Sequence, residues 1–107
     1  MSGITHLRSG HTIVATPGTA VRIEDETGNP AAPCTSVILQ ALETNEGKIV
    51  FGGKSVVAEA GTHATPTRKG VSLAAGATAA IDINDPTGIW IDATVAGDGV
   101  SWVLSAA

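Results

Sequence analysis

β-Branched residues, interrupted every few positions by glycine or proline, constrain this chain more than any other feature. No stretch of about a dozen residues keeps an apolar face at helical spacing, so the sequence predicts short strands and no substantial helix. Candidate strands run from His11 to Ala15, Thr19 to Glu24, Ser55 to Ala58, Gly70 to Ala74 and Thr78 to Ile83. Two stronger pairs read as hairpins. Gly88 to Val95 would meet Val100 to Leu104 across Ala96-Gly97-Asp98-Gly99, placing Ala93 opposite Trp102 and Ile91 opposite Leu104, with Gly and Asp supplying positive φ. Ser36 to Glu43 would meet Lys48 to Gly52 across Thr44-Asn45-Glu46-Gly47, with Glu43 beside Lys48 and Leu42 beside Ile49.

Turn signals at Gly28-Asn29-Pro30, Gly52-Gly53, Ala75-Gly76 and Asn84-Asp85-Pro86 recur at the spacing of a sandwich, jelly roll or small barrel. The expectation is an all-β protein: an antiparallel β-sandwich or jelly-roll-like domain of about eight short strands. A length of 107 residues fits one domain. Residues 1–33 read as an N-terminal arm with the first strands, and residues 34–107 as the sandwich core.

Composition excludes several classes. Net charge is −4 with six Lys and Arg, poor equipment for binding nucleic acid, which relies on clustered cations. No apolar run reaches the roughly 18 residues of a membrane span, and Met1-Ser2-Gly3-Ile4-Thr5-His6 lacks a secretory pattern, so no membrane association and no signal-led export are expected. Cys34 has no internal disulfide partner and reads as a small buried residue.

No catalytic or cofactor site emerges. His6, His11, His63 and Cys34 lack zinc-ligand spacing, and Asp82-Ile83-Asn84-Asp85 lacks the rest of a calcium loop, reading instead as a side-chain-closed turn. No serine sits in a nucleophile elbow, and the carboxylate pairs Glu24 with Glu26 and Asp82 with Asp92 read as solubility charge. No cofactor and no metal are expected, and the chain reads as a non-enzyme.

Interface signals are stronger. Ser36 to Glu43 is apolar on both faces, Val37, Leu39 and Ala41 on one and Ile38 and Leu42 on the other, so the second face calls for a cover, preferably from a neighbouring subunit. Trp90 projects from an otherwise polar face together with Val103, and Arg68-Lys69 is the adjacent cationic pair of the Glu59 to Lys69 connection. Trp90, Ile38, Leu42, Val103, Arg68 and Lys69 are therefore the candidate interface residues.

In sequence order, Ser36-Val37-Ile38-Leu39-Gln40-Ala41-Leu42, Ile49-Val50-Phe51-Gly52-Gly53, Gly70-Val71-Ser72-Leu73-Ala74-Ala75-Gly76 and Ile89 to Trp102 resemble a family of small virion proteins of tailed bacteriophages. The resemblance runs from about Pro33 to Leu104; the Glu59 to Lys69 segment is longer here, and Met1 to Pro33 has no counterpart. It implies a β-sandwich capsid decoration (cement) protein on the virion surface, made in the host cytoplasm. It also implies a major capsid protein as partner and a homo-oligomer, a trimer by preference. The alternative expectation is a tail or head-fibre module that recognises a host surface.

Overall fold

The computed structural model describes residues 6–23, 36–84 and 88–106. Eight strands form two antiparallel sheets, with no α-helix among the described residues. The strands are β1 (His6–Ile13), β2 (Val21–Arg22), β3 (Ser36–Ala41), β4 (Ile49–Gly52), β5 (Val71–Leu73), β6 (Thr78–Ile81), β7 (Trp90–Ala93) and β8 (Gly99–Ala106). Sheet A has the order β1-β8-β3-β6, and sheet B the order β2-β7-β4-β5. The all-β sandwich expected from the punctuation is what the chain forms.

Both expected hairpins are wrong in their pairing. β7 and β8 lie in different sheets, as do β3 and β4. Ala93 pairs with Ile49 and Trp102 with Gly10 and Leu39. Residues 94–98 and 42–48 are corners that carry the chain between layers. Facing strands across a sandwich bury the same alternate residues as strands paired edge to edge, so the hydrophobic pattern is identical in the two arrangements. Most of the inward set nonetheless holds: Ile91, Ala93, Val100, Trp102 and Leu104 all join the main core, with Val37, Leu39, Ala41 and Ile49, while Val95, expected inward opposite Val100, lies half-buried in the corner outside it.

The corners meet at one end of the sandwich. Asp98 has no positive φ; that role falls to Gly97, at 89°. The buried Asp98 carboxylate instead accepts from Glu46 N at 3.1 Å and Gly47 N at 2.8 Å. Asn45 acts as a one-residue strand: Nδ2 donates to Gly99 O at 2.9 Å, while Gly99 N donates to Oδ1 at 3.0 Å. Glu43 and Lys48 sit within that corner and are not ladder partners. Asn45→Ala is expected to cost about 1–2 kcal/mol, since it leaves the buried Gly99 N–H without its acceptor, while Gly99 O keeps Leu42 N as a donor; denaturant unfolding would measure it.

The strand buried on both faces is β4, not β3. Ile49 faces the main core and Val50 the opposite side, and both are fully buried. The cover comes from the same chain: Val56 and Ala58 pack on Val50 from outside sheet B. Residues 55–58, expected as a strand, contribute an isolated bridge between Val57 and Lys69. Their segment folds back on itself, with Val57 N to Lys69 O and Lys69 N to Val57 O both 3.0 Å, and Thr67 Oγ1 donating to Glu59 O at 2.7 Å. Of residues 1–33, His6–Ile13 is paired with β8 along its whole length and so is part of sheet A rather than a free arm. Cys34, the Gly28-Asn29-Pro30 turn, Glu24 with Glu26, and Asp85-Pro86 lie outside the described residues.

Candidate interaction face

Alternation along the strands of sheet A turns Leu7, Ser9, His11 and Ile13 of β1 outward. From β8 come Ser101, Val103 and Ser105, from β3 Ser36, Ile38 and Gln40, and from β6 Thr78 and Ala80. None of these residues is Asp, Glu, Lys or Arg. Leu7 (67 % exposed), Ile38 (50 %), Ile13 (40 %) and Val103 (37 %) all lie on this face, leaving Val71 as the other exposed large hydrophobic residue among those described.

Its centre is organised by register. Ile38 is flanked by Val103 on one side and Ala80 on the other, which places three apolar side chains in one row across the sheet. Gln40 is held to the loop after β5, Nε2 donating to Gly76 O at 3.1 Å, and the Ser36 and Ser105 hydroxyls bond to each other at 3.0 Å. An open depression of about 240 Å³ lies beside the row, lined by Ser9, Ile38, Gln40, Thr78, Ser101 and Val103 among others. The surface therefore offers methyl groups, hydroxyls, the His11 imidazole and one amide, with no Asp, Glu, Lys or Arg at these strand positions.

The outer face of sheet B is different in kind. Trp90 is half-buried there, packed against the Val50, Val56 and Ala58 cluster, with Lys54 Nζ 6.0 Å from the ring centroid. Arg68 is half-buried, and its Nε donates to Ala58 O at 2.9 Å, so it fastens the covering segment instead of standing at a loop tip. Lys69 is exposed but its backbone is tied to Val57.

The six candidate residues thus do not converge. Ile38 and Val103 are direct neighbours on sheet A; Trp90, Arg68 and Lys69 belong to the outer side of sheet B; Leu42 is half-buried in the corner after β3, its N donating to Gly99 O at 3.0 Å. Leu7 and Ile13 were missed. Their period-two signal is present, but Arg8 and Gly10 occupy inward positions of the same strand and weaken its amphipathic pattern.

Asp92 also departs from expectation. It is 1 % exposed and takes three backbone amides, so it is structural and not a solubility charge. Among the described residues, no three His, Cys, Asp or Glu side chains gather as metal ligands. A second cleft, about 210 Å³, is lined by Phe51, Gly52, Ile81, Ile83, Gly88 and Ile89 and is apolar throughout.

Compared with models of known protein families, with characterised proteins and with solved structures, the chain gives no match.

Proposed function

We propose that this chain is a non-catalytic structural protein of a phage virion, a capsid decoration protein that seats the outer face of sheet A on the major capsid protein. The observation that carries the reading is that, among the described residues, no Asp, Glu, Lys or Arg occupies an outward strand position of that face, together with its concentration of exposed apolar side chains. The resemblance of the strand segments to small virion proteins supports it. So does the strand order: the ladders β1·β8, β2·β7, β3·β6 and β4·β5 follow the path of one long antiparallel ribbon folded over into two layers, which supports a jelly-roll reading common among viral proteins.

Area decides how such a protein would hold on. Four strands about 4.8 Å apart and about six residues long at 3.3 Å per residue span roughly 400 Å². A stable one-to-one interface takes about 800 Å² per partner. One copy on one site would therefore bind weakly, and firm attachment comes from repetition over a symmetric shell or from linking of copies to each other in a homo-oligomer.

The test uses undecorated capsids. Wild-type protein should co-sediment with them and raise their melting temperature. Ile38→Glu with Val103→Glu should lower binding by at least about tenfold, because each partly desolvated carboxylate lacks a counter-charge, while the variant's own melting temperature barely changes. Trp90→Ala, on the opposite sheet, serves as the control and should bind as wild type. Wild-type protein that ignores capsids but adsorbs to host cells would overturn the reading in favour of a tail or head-fibre module.

A further inference from the structure

We infer that residues 53–69 form a flap that lifts off the outer face of sheet B as a unit while both sheets stay formed, uncovering Val50 and Trp90.

The bonding divides the molecule at this segment. Within it, Val57 and Lys69 exchange both backbone hydrogen bonds at 3.0 Å, Thr67 N donates to Ala60 O at 3.1 Å, and Thr62 N donates to Thr65 O at 3.0 Å. Side chains close the same loop: Arg68 Nε donates to Ala58 O, Thr67 Oγ1 donates to Glu59 O, and Thr62 Oγ1 accepts from Thr65 N. Among the described residues, one hydrogen bond crosses from the flap to the sheet beneath it, Ala58 N to Asp92 Oδ2 at 2.9 Å.

Packing adds little to that tether. Val56 and Ala58 are the buried side chains of the flap, resting on Val50, while residues 59–67 are all exposed. Lys54 Nζ, 6.0 Å from the Trp90 ring centroid, stands at the outer limit of a cation–π contact. The main core between the sheets takes no side chain from the flap. Lifting the flap therefore exposes Val50, Val56 and Ala58 and leaves the main core closed, which costs a fraction of what global unfolding costs.

Glycine stands at both ends. A Cβ on Gly53 would meet nothing within 4 Å, so its torsions are unobstructed. Gly70 holds φ at 120°, a conformation natural to glycine, and a Cβ there would lie 2.5 Å from Phe51 O. Residues at the ends of elements, often small ones, are where hinge motions absorb their torsion changes. With the flap raised, Val50 and Trp90 become one apolar patch on sheet B that the closed surface does not show.

Thiol labelling tests this on two adjacent residues of one strand. In a Cys34→Ser background, Val50→Cys places a thiol under the flap, and Ile49→Cys places one in the main core. In native buffer, position 50 should label at least about tenfold faster than position 49, since flap opening exposes the first alone. Low urea should barely change the rate at position 50, whereas the rate at position 49 should climb with the surface exposed by global unfolding. Adding Val37→Ala on β3 should speed position 49 and leave position 50 unchanged. Hydrogen exchange of the unaltered chain gives a second reading: Ala58 N should exchange faster than Val57 N and Lys69 N, whose bonds lift with the flap. Equal labelling at the two positions, or an equal response to V37A, would overturn the proposal, because the segment would then leave sheet B only on global unfolding. Val57 and Lys69 exchanging ahead of Ala58 would overturn it too, since the flap would melt before it lifted. The flap lies on the far side of the sandwich from the outer face of sheet A, so none of these outcomes bears on capsid binding.

Discussion

Asp92→Ala is expected to lower stability by about 3 kcal/mol or more and to release the covering segment from sheet B. The Asp92 side chain leaves β7 on the outer side of sheet B, yet it is 1 % exposed. Oδ1 accepts from Gly18 N at 2.9 Å and from Ala93 N at 2.8 Å, and Oδ2 accepts from Ala58 N at 2.9 Å. One carboxylate thus ties three stretches of chain: the turn after β1, its own strand, and the segment whose Val56 and Ala58 seal Val50. Truncation leaves three donors without an acceptor, and each buried unsatisfied group costs about 1–3 kcal/mol. In a domain of this size that is a large share of the total. Asp92→Asn keeps the shape but turns one acceptor into a donor, so it should fall between wild type and alanine. Urea unfolding gives the global loss, and hydrogen exchange at Ala58 gives the local one. Protection of Ala58 unchanged in the alanine variant would mean that Val56 and Ala58 hold the segment without the carboxylate.

Asp92 also shows where sequence reasoning stops. Its neighbours Ile91 and Ala93 mark it correctly as pointing away from the main core. What covers it arrives from about thirty residues earlier in the chain, through a connection whose path no local pattern encodes. The same gap explains the hairpins. Period-two alternation fixes which residues of β3, β4, β7 and β8 point inward, and these positions were legible. Which strand lies beside which is set by whether the chain turns within a layer or crosses to the other, and both bury the same side chains. The corners did carry a clue in their length: Leu42 to Lys48 is longer than a two-residue turn and holds an asparagine whose amide replaces a strand partner. On the candidate face, Ile38 and Val103 were readable from the outward positions of two strong strands. Leu7 and Ile13 were not, because Arg8, though exposed, and Gly10 take the alternate positions of their strand that an amphipathic pattern would fill with apolar side chains, and the reason for that glycine lies on another strand.

That strand is β8. Trp102, 2 % exposed, sits opposite Gly10 on one side and Leu39 on the other, and its Nε1 donates to Thr12 Oγ1 at 3.2 Å. A Cβ added to Gly10 would lie 2.6 Å from Trp102 Cζ2 and 3.0 Å from Cη2, so the indole occupies the volume that a side chain at position 10 would need. Trp102→Ala is therefore expected to cost about 3–5 kcal/mol, from lost burial, the cavity left under β1 and β3, and the lost hydrogen bond to Thr12. Gly10→Ala should cost about 1–3 kcal/mol by overpacking in a wild-type background. In a Trp102→Leu background the same methyl enters vacated space, and the penalty should shrink or change sign. A double-mutant cycle by denaturant unfolding reads the coupling, expected at about 1 kcal/mol or more. Additivity within about 0.5 kcal/mol would mean that the indole moves aside at no cost, and that Gly10 is present for a reason outside the fold. The cycle thereby isolates the demand that the fold makes on this residue: Gly10 must be small toward Trp102 for the sandwich to close.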